Sequence, residues 1–252
     1  GLLHATTKQI VASPPQLIVV DDFGAQGSDV LYDLLRLQQQ VSIVLPRLSW
    51  CESVLQRFPP AFLADADLLR GDFSVRSGTL QSRLKRSGDV AVAGFLLLIT
   101  SPLLLISAFL IKVGDRGPVF YSQIRTGLGG QPYRIWKLRS MRIDAEKKGA
   151  QWSSRSDSRI TKIGAILRRT RLDELPQLWC VINGTMSLIG ARPERPEFDK
   201  ELEQKIPHYS LRHSIRPGLS GWAQVNYPYG ASIEDAINKL SYDLYYLRNF
   251  SF

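Results

Sequence analysis

One uncharged run of about 22 residues, from Val90 to Ile111, constrains the fold of this chain more than any other stretch. The run is rich in leucine, isoleucine, valine and phenylalanine, and about 20 apolar residues suffice for a helix to cross the hydrocarbon core of a bilayer. A buried helix in a soluble protein rarely stays apolar over such a length. The sequence therefore predicts a membrane segment.

Two features favour a hairpin that enters and leaves the membrane by the same face. Ser101-Pro102 lies at the centre of the run, where proline breaks a helix and restricts the residue before it. Each half would then be roughly 16 Å of helix, enough to reach about halfway through the hydrocarbon. The Ser101 hydroxyl is placed to bind a carbonyl that the proline leaves free.

Basic residues flank both ends of the run, and positive charge prefers the cytoplasmic side of a membrane. They are Arg83, Lys85 and Arg86 before the run and Lys112 and Arg116 after it. Both ends are therefore expected on one side. A kinked helix that crosses the whole bilayer is the alternative.

The overall charge points to partners with phosphate groups. The chain has a formal net charge of +9, which suits a nucleotide, an anionic lipid or a nucleic acid. We do not expect nucleic acid, because no recognition helix is evident and a long apolar run is awkward for a DNA-binding protein. Cys51 and Cys180 are too few for a disulfide framework or a zinc site, so a reducing compartment is expected.

The first 80 residues contain a strand–helix–strand pattern. Leu17–Val20 and Val41–Leu45 are β-branched and apolar, and Ser28–Gln40 has helical spacing between them, which predicts a parallel α/β unit. The intervening loop, 21–27, lacks a complete G-x-G-x-x-G, so a structural or regulatory module is favoured over a nucleotide site. Because the chain begins with Gly1 and ends in an apolar stretch, we expect a piece of a longer protein.

Asp173 and Glu174 follow three arginines and precede the apolar run Leu178–Ile182. This pattern predicts a helix start, with Asp173 as the N-cap residue and Pro176 in the first turn. The helix end and the arginines would favour the ionised form of Asp173. An ionised carboxylate held among arginines is typical of a nucleophile toward phosphorus, although a plain capped helix has the same local pattern.

Two further basic segments flank this pair. Val119–Ile124 and Pro132–Met141 predict a β-hairpin, and Lys137 and Arg139 share one face of its second strand. That face is either solvated or binds phosphate. Arg-Pro pairs at Arg192 and Arg195 hold guanidinium groups on a stiff backbone, and a guanidinium fork suits a phosphate.

The last part of the chain combines an aromatic loop and a helix. Trp222, Tyr227 and Tyr229 could stack on a base, lie among lipid headgroups or pack in the core. Ser232 and Asp235 predict a capped helix. Its tyrosines and Arg248 suit a helix on the membrane surface; the tyrosines are Tyr242, Tyr245 and Tyr246.

Seven segments in chain order resemble the bacterial sugar transferases, the monotopic polyprenyl-phosphate phosphoglycosyl transferases, in their long exopolysaccharide-type form. The segments are Lys85-Arg86 with Asp89, the apolar run with Ser101-Pro102, Gly117–Phe120, Lys137–Met141, Arg171–Gln177, Met186–Glu194 and Arg216–Gln224. The resemblance covers residues 82–252. It implies an α+β fold, in which a re-entrant membrane helical hairpin at 81–116 precedes a small cytosolic α/β catalytic domain at 117–252. Residues 1–80 would be part of a Rossmann-like α/β module.

The resemblance also implies a reaction, the transfer of a sugar-1-phosphate from a nucleoside diphosphate sugar to undecaprenyl phosphate. Asp173 would be the nucleophile that forms a covalent aspartyl-phosphosugar, with Glu174 beside it. Mg²⁺ is the implied cofactor, with both carboxylates as candidate ligands, although Glu174 could instead help activate the lipid phosphate. The residues expected to bind substrate phosphates are Lys137, Arg139, Arg168, Arg192 and Arg195.

The expected partners are a nucleoside diphosphate sugar of the UDP-sugar class, undecaprenyl phosphate and membrane lipids; a homo-oligomer is left open. The expected location is the bacterial inner (cytoplasmic) membrane, with the catalytic domain on its cytosolic face. There the reaction would initiate the biosynthesis of exopolysaccharide or another glycoconjugate. Two alternatives remain. One is a carboxylate-dependent membrane phosphodiesterase that hydrolyses lipid diphosphates, and the other is a basic membrane-binding scaffold without catalytic activity.

Overall fold

A computed structural model describes residues 16–21, 28–40, 43–70, 73, 79–145, 157–228, 230 and 232–250. The chain forms two compact units, residues 1–58 and 59–252, and each is described by itself.

The first unit contains two parallel strands and a helix packed on them. Strand β1 (Leu17–Val20) pairs with β2 (Ile43–Pro46), and helix α1 (Ser28–Gln40) lies between them in the chain. Helix α2 (Arg47–Trp50) follows directly and continues as a π-helical turn. The predicted strand–helix–strand order and parallel pairing are confirmed. The Rossmann-like classification stays a prediction, and the loop at 22–27 lies outside the described residues.

The second unit combines helices with two small two-stranded sheets. In chain order its elements are α3 (Asp65–Arg70), α4 (Leu80–Asp115), β3 (Phe120–Thr126), β4 (Pro132–Leu138), α5 (Lys162–Thr170), α6 (Leu178–Ile182), β5 (Ser187–Ile189), α7 (Pro196–Lys205), β6 (Gly218–Ser220), α8 (Trp222–Asn226) and α9 (Ile233–Arg248). A mixed helix-and-sheet fold with one long apolar helix is therefore present, as the sequence predicted.

Helix α4 is a 36-residue helix that continues through Pro102, so the helix does not break at Ser101-Pro102 as the sequence predicted. Proline lacks the N–H that would bind the carbonyl four residues earlier, and the Ser101 hydroxyl donates to that carbonyl, Leu98 O, at 2.7 Å. The predicted role of the Ser101 hydroxyl is therefore confirmed. Only 11% of the most apolar window of α4 is buried within the protein. By length and composition α4 can cross a membrane. A core helix of a soluble protein is mostly buried, whereas most of this apolar stretch is exposed.

Both halves of α4 contact the same body. Ala93, which is fully buried, packs among Ile135 and Leu178 in the first half, whereas Ile111 packs against Leu138 and Leu167 in the second. The buried and half-buried residues of α4 between Ala93 and Ile111 include positions that recur every three or four residues, so one stripe of the helix faces the protein. This arrangement is compatible with the predicted hairpin, which stays a prediction.

Strands β3 and β4 form the predicted antiparallel hairpin, with Phe120 opposite Leu138. Gly129 and Gly130 have φ values of 63° and 75° in the turn, a backbone region that favours glycine. The basic face of β4 is not solvated. Arg139, just beyond the strand, is only 6% exposed.

Strands β5 and β6 pair in parallel and bring two of the sequence motifs into backbone contact. A Cβ atom at Gly218 would overlap the backbone of Gly190, and one at Gly221 would overlap the Gly190 carbonyl. Only glycine allows so close an approach. The segments 186–194 and 216–224 are therefore fixed against each other.

The aromatic residues near the end of the chain have protein partners. Trp222 stacks on Tyr245 of α9 with ring centroids 5.8 Å apart, and the Tyr227 hydroxyl donates to Asp235. The predicted capping box of Ser232 is confirmed. Trp222 therefore packs within the protein, while base stacking and a membrane-surface role for the α9 tyrosines stay predictions. Tyr229 lies outside the described residues.

Candidate active site

Asp173 and Glu174 lie in a 3₁₀ turn, Leu172–Gln177, between α5 and α6. The residue that precedes the turn is Arg171, in the left-handed conformation with φ of 59°. The prediction that Asp173 is the N-cap residue is therefore wrong. The rest of this 3₁₀ turn, which includes Pro176, separates the carboxylates from α6, and the turn packs against β4.

Glu174 is held by two cations. Its Oε1 accepts hydrogen bonds from Lys137 Nζ at 2.9 Å and Arg192 Nη2 at 2.8 Å, and Arg171 lies 3.9 Å from Oε2. Burial alone would raise the pKa of Glu174, but Arg192 and Lys137 outweigh it and hold that pKa well below its usual range. Glu174 is therefore an anion whose charge the protein neutralises.

Asp173 has a different environment, although it is adjacent. Its side chain is 6% exposed, and Oδ1 is buried without a hydrogen-bond partner in the described protein. Burial raises the pKa of Asp173, and Glu174 raises it further, while Lys137, Arg168 and Arg171 oppose the shift. The prediction that nearby positive charge would dominate is therefore wrong, because the cost of burying the carboxylate is larger.

The five predicted phosphate-binding residues are placed differently. Lys137 and Arg192 meet at Glu174, and the charge of Arg168 acts on Asp173. Arg139 is buried beside Gly117, where a Cβ atom would overlap its guanidinium. Arg195 precedes α7, and its Nε lies 3.8 Å from Glu197.

Sequence reasoning missed Arg125. It lies on β3, where its Nη1 donates to Pro193 O at 3.1 Å and lies 3.5 Å from a Glu194 oxygen. Burial lowers the pKa of Arg125, and Glu194 opposes that shift. The alternation of the predicted strand could have placed Arg125 on one face of the hairpin, but not next to the Arg192 loop.

Sequence reasoning also missed Arg212, which is 7% exposed. Its Nη2 donates to the Arg192 carbonyl at 2.8 Å and lies 3.1 Å from Asp243 Oδ2. Tyr209 accepts a further hydrogen bond from Arg212. Burial raises the pKa of Asp243 to about 6, against the opposing charge of Arg212. No local pattern marks Arg212, because the Arg192 carbonyl and Asp243 are distant from it in the chain.

The chemistry of the two carboxylates fits a magnesium ion. Mg²⁺ prefers oxygen ligands and is commonly held by one or two carboxylates together with the phosphates of a substrate. Asp173 Oδ1 is a buried oxygen without a hydrogen-bond partner in the described protein, and Glu174 Oε2 forms an ion pair with Arg171 at 3.9 Å. Among the described residues no group of three or more acidic, histidine or cysteine side chains forms a metal cage, so substrate oxygens would complete the shell.

The comparisons with known proteins agree on one family. The family model described as "Bacterial sugar transferase" matches residues 80–252. A relative in Aeromonas hydrophila, a UDP-N-acetylgalactosamine-undecaprenyl-phosphate N-acetylgalactosaminephosphotransferase, is 45% identical over 168 residues, which are 67% of this chain and 40% of that protein. A UDP-glucose:undecaprenyl-phosphate glucose-1-phosphate transferase of Escherichia coli (strain K12) is 40% identical over 170 residues, 67% of this chain and 37% of that protein.

A shorter relative is matched over most of its length. The exopolysaccharide production protein PSS of Rhizobium leguminosarum bv. phaseoli is 40% identical over 174 residues, 67% of this chain and 87% of that protein. The matched part of this chain thus spans about two fifths of the Aeromonas and Escherichia relatives but nearly all of the Rhizobium protein.

Proposed function

The chain belongs to the bacterial sugar transferase family, and we propose that it transfers a sugar-1-phosphate from a UDP-sugar to undecaprenyl phosphate and releases UMP. The names of its relatives support the class of donor and acceptor, and because those relatives use different sugars, the proposal extends to the UDP-sugar class. The observation that carries it is the unpartnered, buried Asp173 Oδ1 beside a carboxylate that the protein has neutralised.

Asp173 acts as the nucleophile in this proposal. Its Oδ1 attacks the phosphorus that carries the sugar, the bond from that phosphorus to the UMP oxygen breaks, and UMP leaves. A phosphate oxygen of undecaprenyl phosphate then attacks the same phosphorus, which breaks the aspartyl bond and regenerates the carboxylate. A covalent intermediate of this kind divides one difficult transfer into two. Because Oδ1 makes no hydrogen bond in the described protein, no such bond has to be broken before attack.

The cations around the carboxylates reduce the repulsion between an anionic nucleophile and an anionic diphosphate. Arg192 and Lys137 neutralise Glu174, so the second carboxylate adds little negative charge to the site. Arg168 and Arg171 act on Asp173 itself. Fixed charges of this kind stabilise the charge that develops in a phosphoryl transfer.

Asp173 and Glu174 would hold the magnesium ion of this proposal. When bound, Mg²⁺ supplies charge neutralisation at the diphosphate. Lys137 and Arg192 then keep Glu174 in place, because both donate to its Oε1, whereas the ion pair of Oε2 is with Arg171.

The proposed location is the inner membrane, with α4 as a re-entrant hairpin and the catalytic domain on the cytosolic face. The exposed surface of α4 is apolar between Val92 and Leu110, which suits membrane lipid. The large exposed side chains include Phe95, Leu98, Ile99, Leu105, Ile106 and Phe109. Both halves of the helix contact the same body, which supports entry and exit by one face. Here the transfer would begin the assembly of an exopolysaccharide or another glycoconjugate.

The test is to trap the covalent intermediate. The chain in detergent is incubated with Mg²⁺ and a panel of UDP-sugars without lipid acceptor, and its intact mass is measured. We expect an increase by one phosphosugar in the wild type and in Asp144→Asn, an exposed control carboxylate, and none in Asp173→Asn. Adding undecaprenyl phosphate should discharge the adduct into lipid product.

Each alternative predicts a different result in a further measurement. Release of free sugar phosphate from lipid diphosphate by water, with no need for undecaprenyl phosphate, would identify a phosphodiesterase. Full function of Asp173→Asn in cells would identify a scaffold. Either result would overturn the proposed transfer.

A further inference from the structure

Arg86, near the start of α4, is bonded to the helix that follows the two carboxylates. Its guanidinium donates to the carbonyls of Val181 and Ile182, the latter at 2.8 Å. These are the last carbonyls of α6, and such carbonyls have no partner within their own helix. A cation at a helix C-terminus is favourable. Since α6 begins directly after the turn Leu172–Gln177, Arg86 fixes the segment that carries Asp173 and Glu174.

Asp89, almost one helical turn later, is bonded to the segment that carries Arg192. Its Oδ2 accepts a hydrogen bond from Ser187 Oγ at 2.7 Å, and Leu188 N lies 3.4 Å from Oδ1. The carboxylate is buried, and Lys85 Nζ lies 3.3 Å from Oδ1. Asp89 thereby holds β5, which leads through Gly190 to Arg192.

The two attachments share one rigid element. Positions three apart lie on the same face of a helix, so a single turn of α4 sets the distance between α6 and β5. The loop between these elements is closed by a further bond, from Arg216 Nε to Gly184 O at 2.9 Å. The two segments meet again at the candidate site, where Arg192 Nη2 lies 2.8 Å from Glu174 Oε1.

We propose that Arg86 and Asp89 are positioning residues that couple the placement of the membrane helix to the Arg192–Glu174 pair. Their hydrogen bonds go to backbone groups of α6 and β5 and to the Ser187 hydroxyl, and not to Arg192 or Glu174 themselves. They act by fixing the two segments that supply opposite sides of the site. The catalytic part of this inference rests on the proposed function.

The experiment compares Arg86→Gln with Arg83→Gln. Both variants remove one positive charge from the start of α4, but the Arg83 side chain is exposed, so effects on membrane orientation are matched. Hydrogen exchange is measured in the full chain in detergent, over residues 178–192 and over the β3–β4 hairpin. Adduct formation from a UDP-sugar is timed in the same preparations.

We expect faster exchange over 178–192 in Arg86→Gln, unchanged exchange in the hairpin, and adduct formation slowed by about tenfold to a hundredfold, as for a small misplacement of catalytic groups. Arg83→Gln should match the wild type in both measurements. Arg86→Lys, which retains a charged donor, should recover part of the rate. Asp89→Ala should slow the reaction more than Asp89→Asn, which keeps an acceptor for Ser187.

Equal behaviour of Arg86→Gln and Arg83→Gln would overturn the inference, and so would faster exchange throughout the second unit, since that would show general destabilisation. If the wild type forms no adduct and no product, the proposed function fails instead. The exchange data then decide alone whether Arg86 fixes residues 178–192, and unchanged exchange in Arg86→Gln overturns that as well.

Discussion

Replacing Lys137 by methionine tests the charge balance around Glu174. Methionine keeps much of the side-chain volume but removes the ammonium that lies 2.9 Å from Glu174 Oε1. Removing one partner of a buried ion pair costs about 3–5 kcal/mol. Here the second donor, Arg192, stays at 2.8 Å, so the carboxylate keeps one charged hydrogen bond, and we expect a loss of about 2 kcal/mol in unfolding free energy.

A double-mutant cycle isolates this interaction. Lys137→Met, Glu174→Gln and the double variant are unfolded with urea in detergent and followed by tryptophan fluorescence. We expect a coupling energy above about 1 kcal/mol, because the two side chains are mostly buried. The control cycle uses Lys205 and Glu201, an exposed pair at 2.6 Å on α7, for which we expect less than about 0.5 kcal/mol.

The comparison between the two cycles can refute the reasoning. If the exposed pair on α7 couples as strongly as Lys137 and Glu174, burial does not strengthen the interaction at the site. The idea that the protein maintains a neutralised carboxylate there would then fail.

Three other predictions follow from separate features. Asp243, whose pKa is raised to about 6 by burial, binds more protons in the folded than in the unfolded state between about pH 4 and 6, so its contribution to stability is lost as the pH rises through that window. Asp243→Asn should remove up to about 3 kcal/mol of that pH dependence in urea unfolding, and an unchanged profile would contradict the assignment. Gly218→Ala should lower stability by about 1–3 kcal/mol, because its Cβ would overlap Gly190, whereas Gly94→Ala, with open space around it, should cost nothing; equal thermal midpoints would show that the two backbones can separate. EDTA should stop adduct formation and added Mg²⁺ should restore it, and adduct formation at full rate in EDTA would exclude the proposed ion.

Local chemistry was predictable from the sequence where a short pattern determines the structure. Proline at position 102 requires a substitute donor, and the neighbouring Ser101 supplies it. The glycine-rich turn at 127–130 and the alternation on either side were sufficient for the β3–β4 hairpin. The Ser232 capping box also depends only on residues within one helical turn.

The environment of the carboxylates was not predictable in this way. The pKa of Asp173 depends on how deeply β4 and the 3₁₀ turn bury it, and the local pattern shows the nearby arginines but not the burial. Arg212 donates a hydrogen bond to the Arg192 carbonyl and forms an ion pair with Asp243, and these three residues are far apart in the chain. Such contacts arise from the packing of whole elements, for which a single sequence has no local signal.

The stripe of α4 that faces the protein makes this helix a structural part of the second unit rather than a detachable anchor. Ala93 and Ile111 complete clusters that also contain Ile135 and Leu138. Removing the helix to obtain a water-soluble domain would uncover those side chains. It would also remove the hydrogen bonds that Arg86 and Asp89 make to α6 and β5. Engineering for solubility is therefore better directed at the exposed apolar side of α4, whose side chains lie outside these two clusters.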